Sequence, residues 1–400
     1  MLDWRHEYRQ AALDLDALAA RARLTFCGLS ACVDATISLH DAMPVLHGGG
    51  NPQAHLFGDL LRDRAVAGRG GEMRVDWPGG PDWLDQRLRF RHALGGTGPH
   101  AARVLTHLGA PALLALATRS PEQLAVLDPR IRLAVDGTPV EVARLVPTSP
   151  DVPKIYIFEF TAGRPLGGQV LGRSSRIIVR FNDPGLEDDA EFAGTSGRLA
   201  GEAGAAVLSG YNGVGGGDMQ AALTLTRNLI AGWQRPEPLL IHLELAGYDR
   251  DAYRDAVLDG LAGQITSLGL SLSEYEALMP APAPLAEGMA ALALRLRLQR
   301  VCVHADNWAA AVTTGDPERE RRALLTGCLL AGNRAATGTV ATPQGAHAEA
   351  IFEAPPAARA LPAPWHFIAV SAPFLPSPAT TLGLGDTFMA GCLLVLGQAV

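Results

Sequence analysis

Apolar and polar positions follow two rhythms along this chain. The run Leu24–Val33, closed by Asp34, reads as a buried strand with an acid at its carboxyl end. Similar short apolar runs recur at 112–117, 205–209, 239–245, 301–304 and 367–370. Between them lie segments of helical period at 13–23, 100–108, 218–233, 251–264, 285–300 and 319–330. Pro99 suits the first turn of its helix and Gly109 its end. Strand and helix in alternation predict an α/β fold whose central sheet is flanked by helices. Two stretches break the rhythm. Residues 41–94 are rich in Gly, Pro and aromatic anchors. Residues 131–181 alternate as strands do at 140–146, 154–160 and 176–181. Together they predict one smaller, discontinuous, β-rich lid unit (41–94 and 131–181) on a large unit made of 1–40, 95–130 and 182–400. Ligands of open parallel sheets bind beyond the carboxyl ends of the strands, which singles out Asp34.

Composition narrows the chemistry. The chain has 400 residues, with 34 Lys+Arg against 41 Asp+Glu, a formal net charge of −7. An acidic balance disfavours a nucleic-acid partner. Five cysteines, odd in number and without a C-x-x-C, oppose a disulfide framework or a zinc–thiolate site. The polar start and the lack of a long apolar span predict a cytoplasmic protein without a membrane partner. A monomer or weak dimer is expected. Lys154 is the only lysine. A Walker A loop is therefore excluded, and Schiff-base chemistry could use no other residue.

The strongest chemical signal is Gly383-Leu-Gly385-Asp386-Thr387 ahead of an apolar helix. Two glycines before a helix let backbone N–H groups converge, and the helix dipole adds positive charge there. Such a place holds a phosphate or a developing oxyanion. Asp386 is either a simple helix cap or a base beside that anion hole.

This segment resembles the GxGD signature of the ribokinase-like superfamily. The chain more specifically resembles the ADP-dependent glucokinase/phosphofructokinase family. Four further segments fit that family in order. Cys32-Val-Asp34 resembles its N-V-D, and Gly95-Gly96-Thr97 its G-G-N or G-G-Q. His242-Leu-Glu244 resembles its H-x-E, and Ser267–Glu274 its S-L-G-x-N-x-x-E. The resemblance spans about 25–391 and implies a ribokinase-like α/β domain with a lid. It also implies a kinase that takes ADP as phosphoryl donor and a sugar or sugar phosphate as acceptor.

On that resemblance Asp386 is the catalytic base, and Gly383 and Gly385 stabilise the transferred phosphoryl. Asp34, Cys32, Gly95, Gly96 and Thr97 hold the sugar. Glu244 and Glu274 hold Mg²⁺, directly or through water; without the family they read as charges after a strand and a helix. His242, mid-strand, reads as a packed side chain. Glu72 aligns with a lid glutamate of the glucose-binding members. Lys154, Arg173 and Arg176 match basic lid residues that hold a substrate phosphate, though a solvated strand face explains them equally. Cys32 and Thr97 stand where the family has amide side chains, and Ser271 where it has Asn, so an altered sugar pocket is expected. Two rival readings stay open: an ATP-dependent kinase of the superfamily, and a sugar-binding relative without catalysis.

Overall fold

The computed structural model describes residues 2–151, 154–182, 185–233, 235, 237–279 and 284–399. Among the described residues, ten strands form one mixed sheet. From one edge they run His366–Ser371, Trp308–Thr313, Arg300–His304, Ser267–Ser271, Leu240–Glu244, Ala203–Leu208, Leu24–Cys27, Ala112–Leu114, Arg132–Val135 and Thr138–Glu141. Neighbours from Arg300–His304 across to Arg132–Val135 are parallel, and the edge pairings are antiparallel. All six residues of Ala203–Leu208 are buried, as a central parallel strand covered on both faces requires. The helices Thr97–His107, Pro317–Thr337 and Leu384–Leu396 cover one face. Met219–Gly232, Asp251–Leu261 and Leu285–Leu296 cover the other.

A second sheet has five strands, in the order Gly71–Arg74, Ser175–Arg180, Ile155–Phe160, Cys32–Ser38 and Arg91–Gly95. Helices Leu39–Gly48 and Pro52–Val66 pack on it through Leu39, Leu46, Phe57 and Leu61. The α/β fold with a smaller β-rich unit is thus the observed one.

Several boundaries differ from the expectation. The apolar run 24–34 is two strands. Leu24–Cys27 lies in the large sheet, and Cys32–Ser38 pairs in the small one with Arg91–Gly95 and Ile155–Phe160. The small sheet therefore begins at 32 and not at 41. A continuous apolar run cannot show a change of sheet, because both halves are buried. Conversely, Arg132–Val135 and Thr138–Glu141 form a hairpin on the edge of the large sheet, outside the small unit that was to start at 131. Their alternation fits either sheet, and Leu133 decides it by pairing with Leu114 and joining the large core. The sequence reading missed the helices of 39–66, which a glycine run interrupts. Asn51 restarts the chain by capping the second helix, with Pro52 in its first turn. It also missed the strand Trp308–Thr313, whose three alanines carry little β signal.

Candidate active site

The two sheets enclose a cleft of about 650 Å³. Its floor is the start of the helix Leu384–Leu396. Gly383 there is left-handed (φ 67°), and a Cβ on it would sit 2.6 Å from the Arg334 guanidinium. That closeness has a use. Arg334 donates to the Gly383 carbonyl at 3.1 Å and to Thr387 Oγ1 at 2.9 Å, and so fixes the turn. The first N–H groups of a helix lack intrahelical acceptors, so this turn offers donors to an anion in the cleft. Asp386 stands in that first turn, and both it and Thr97 line the cleft. Burial raises the Asp386 carboxyl above the ordinary range, and Glu244 adds to the rise. Thr97, Arg334 and Arg176 oppose it. Arg334 is buried beside His100, and burial brings its guanidinium down to about 10. His100 is held well below its usual range by burial and by Arg334 and Arg103. It is therefore neutral, and its Nδ1 faces Arg334 at 3.4 Å.

The opposite wall comes from the small sheet. Asp34 is buried, with the Cys32 thiol 3.6 Å from its Oδ1. A Cβ on Gly95 would meet Asp34 Oδ1 at 2.2 Å and Cys32 Sγ at 2.6 Å, so only glycine leaves room for this acid. Burial raises Asp34 to about 7. The Cys32 bond lowers it, the Asp386 charge raises it, and Arg180 and Arg176 lower it. The strand Ser175–Arg180 sends Arg176 and Arg180 into the cleft. Arg176 reaches across to Thr381 Oγ1 on the large unit at 2.9 Å, while its buried Nε has no hydrogen-bond partner among the described residues. Arg180 is ion-paired to Glu72, whose other oxygen accepts from Asn212 at 2.9 Å.

At the third side the strand Leu240–Glu244 delivers Glu244. Its carboxylate accepts from His242 Nε2 at 2.9 Å and faces His304 Nε2 at 3.4 Å. Burial alone would raise its pKa. The two imidazoles outweigh burial and bring it down to about 2. Gly269 on the next strand permits this, since a Cβ there would lie 2.1 Å from Glu244 Oε2. Glu274 does not follow a helix, as the sequence suggested. It lies in the first turn of Leu272–Leu278, where it closes a capping box with Ser271. One Glu274 oxygen accepts from the Ser271 N–H at 2.7 Å, and the side chain lines the cleft. Burial raises its carboxyl, the Ser271 bonds lower it, and Glu244 raises it.

Of the residues singled out from sequence, the cleft thus gathers Cys32, Asp34, Glu72, Gly96, Thr97, Arg176, Glu244, Glu274, Gly383, Gly385 and Asp386, with Gly95 directly behind Asp34. It does not gather Lys154 or Arg173. The Lys154 ammonium is taken by Asp85 at 2.9 Å and Glu122 at 3.2 Å, from two helices remote in sequence. Arg173 is exposed and lies along Gly68. Sequence reasoning missed Arg334, His100, His304 and Asn212. Arg180 belongs to the basic group of the second β-rich stretch that the sequence already marks.

The folded value of the Asp34 carboxyl, about 7, exceeds the ordinary 3.8. The folded state therefore holds this proton more tightly. Its contribution to stability is full below about 4, falls as pH rises towards 7, and is flat above. Asp34→Asn should raise Tm by roughly a few degrees at pH 8 and change it little at pH 4. Thermal unfolding at both values checks this, and an equal shift at both would contradict it.

A family model, the ADP-specific phosphofructokinase/glucokinase conserved region, matches residues 66–353. The chain belongs to the ADP-specific phosphofructokinase/glucokinase family. It is thus an ADP-dependent sugar kinase by family. No curated protein sequence matches it. Among solved structures it resembles an ADP-dependent kinase in complex with fructose-6-phosphate and ADPβS. That likeness has TM-score 0.80 and 18% identity over 99% of this chain and 98% of that one. The last common ancestor of ADP-dependent phosphofructokinases from Methanosarcinales follows with TM-score 0.74, 18% identity and coverage of 99% and 98%. A phosphofructokinase from Pyrococcus horikoshii OT3 with AMP has TM-score 0.73, 17% identity and coverage of 94% and 98%. These likenesses establish the fold that the chain shares with those kinases. Asp34 and Asp386 lie outside the matched segment.

Among the described residues no helix is long and apolar enough to cross a membrane.

Proposed function

We propose that this kinase moves the terminal phosphoryl of ADP to a hydroxyl of a hexose phosphate, with Asp386 as general base. The observation that carries the reading is Arg176. It stands on the small sheet beside Asp34 and Asp386, bonds to Thr381 on the large unit, and has a buried Nε with no hydrogen-bond partner among the described residues. A phosphorylated acceptor supplies the anion that such a guanidinium lacks. Asp34 accepts from the sugar hydroxyls, and Gly95 and Gly96 let the sugar approach. Asp386 takes the proton of the attacking hydroxyl. The N–H groups after Gly383 stabilise charge on the transferred phosphoryl. Closure of the small sheet over the acceptor excludes water, a competing nucleophile.

Mg²⁺ fits the residues at the third side. Glu244 and Glu274 are hard oxygen donors that line one wall of the cleft, each with lone pairs beyond those its neighbours occupy. The ion would neutralise phosphate charge there.

One observation favours a second reading, an unphosphorylated hexose: the Glu72 carboxylate also lines the cleft. Its oxygens are already engaged by Arg180 and Asn212, which weakens the case. The test is ADP-driven transfer, read as AMP release, to fructose 6-phosphate and to glucose, in wild type and Arg176→Ala. Loss of charge-assisted bonds of about 1.5–3 kcal/mol predicts a fall of about 10- to 100-fold in kcat/KM for the hexose phosphate. Glucose should be the poorer acceptor and nearly indifferent to the change. If glucose is the better acceptor and Arg176→Ala changes neither, the hexose-phosphate reading fails.

A further inference from the structure

Outside the lining of the cleft, the helices Leu39–Gly48 and Pro52–Val66 bring together His47, His55 and Asp59. The turn between them is Gly48-Gly49-Gly50 with Asn51, and Gly50 is left-handed (φ 65°). His55 and Asp59 stand one helical turn apart on the second helix, on one face. His47 closes on them from the end of the first. One nitrogen or oxygen of each lies within 4.8 Å of the others. The individual separations are shorter. His47 Nε2 is 3.2 Å from Asp59 Oδ1, and His55 Nε2 is 3.7 Å from Asp59 Oδ2. The two imidazole centroids are 4.5 Å apart.

We propose that His47, His55 and Asp59 form a binding site for a divalent transition ion, of the zinc class, that ties the two helices together. The separations suit the purpose. Ligands about 2.0–2.2 Å from a tetrahedral ion lie roughly 3.3–3.6 Å from one another, which the two His–Asp distances bracket. The donor set is imidazole plus carboxylate, which favours zinc over Mg²⁺. The His47 Nε2 atom is buried and makes no hydrogen bond despite its short distance to Asp59. Its lone pair or proton is therefore aimed off the carboxylate, as a ligand nitrogen is aimed at an ion. The position is also made by the sequence opposite. A Cβ on Gly58 would lie 2.9 Å from His47 Nε2, so glycine there is what lets the ring lie against the second helix. Arg62 donates to Asp59 Oδ1 at 2.7 Å and orients the carboxylate from behind. His55 is 55% exposed, which gives an ion its way in and water the fourth position. The cluster precedes residue 66, where the family match begins, and it sits on the helical cover of the five-stranded sheet. Its effect falls on the stability of that unit rather than on phosphoryl transfer.

The test starts from full-length protein stripped with chelator and held in excess Mg²⁺. Zn²⁺ is titrated by calorimetry, and Co²⁺ is added in parallel as a spectroscopic probe. One equivalent of Zn²⁺ should bind saturably and raise Tm. Co²⁺ should give the intense visible absorption of a four-coordinate site. His55→Gln and Asp59→Asn should each weaken binding by roughly 100-fold or more, beyond the 10- to 100-fold cost usual for groups behind the ligands. His55 is exposed, so His55→Gln should keep the Tm of stripped wild type while losing the ion. His304→Gln, in the cleft, should leave this binding unchanged. Binding that survives in His55→Gln and Asp59→Asn, that is abolished in His304→Gln, or that is absent in wild type overturns the proposal.

Discussion

Asp386→Asn is expected to lower kcat by about 10²- to 10⁴-fold while leaving the fold and acceptor binding intact. The amide has nearly the shape of the carboxylate. It cannot take a proton from the attacking hydroxyl. The substitution also removes the charge that Asp34, Arg176 and Arg334 experience. Asp34 loses a like-charged neighbour, so its pKa should drop below 7, and acceptor KM should hold or improve slightly. A large rise in KM with kcat unchanged would show that Asp386 binds the acceptor and leaves the proton to another group. Turnover near wild type would remove Asp386 from the mechanism.

That this residue was legible in the sequence has a physical reason. The glycines, the acid and the helix start lie within five consecutive positions, so local backbone chemistry carries the whole signal. Asp34 was singled out as the carboxyl end of a strand of the large sheet, yet it stands third in Cys32–Ser38 of the small one, where Gly95 on the paired strand makes room for it. Arg334 was not legible. It is one arginine among many on a long helix, and its meaning comes from Gly383, 49 positions away. His304 meets Glu244 across 60 positions, and only the sheet order makes them neighbours. Lys154 failed in the opposite direction. Its place in a basic, strand-like segment suggested a phosphate, but Asp85 and Glu122 had already neutralised it from elsewhere in the chain. Periodicity reports which residues are buried and with what repeat. It does not report which sheet buries them, and so residues 32–38 and 132–141 were assigned to the wrong ones.

The second large effect lies beneath the Glu244 wall. Arg300 and Glu320 are both buried, with Arg300 Nε 2.9 and 3.0 Å from the two carboxylate oxygens. Arg300 Nη1 also donates to Ser267 Oγ at 3.2 Å, and Ser267 Oγ lies 2.8 Å from His242 Nδ1. Burial holds His242 below its usual range, and its Nε2 faces the ionised Glu244. The neutral tautomer that satisfies both contacts carries its proton on Nε2, for the carboxylate, and accepts at Nδ1 from the Ser267 hydroxyl. Arg300 then donates to the oxygen that Ser267 has left free. Each link from Glu320 to Glu244 is thus oriented by the one before. Glu320→Gln leaves the Arg300 charge buried and unpaired, which should cost about 3–5 kcal/mol and show as a marked fall in Tm. Removing both charges at once is a different matter. Arg300→Met with Glu320→Leu fills similar volume without desolvating an ion, so stability should return to near wild type or exceed it. Turnover separates the two roles of the pair. Ser267 and His242 keep their mutual bond in the double variant, and kcat should stay within about tenfold of wild type, since one neutral-acceptor bond of roughly 1 kcal/mol is lost from the chain. If the double variant is as unstable as Glu320→Gln, packing and not the unpaired charge sets the cost. If it is stable but loses turnover a hundredfold, the Arg300 donor itself holds Glu244 in place.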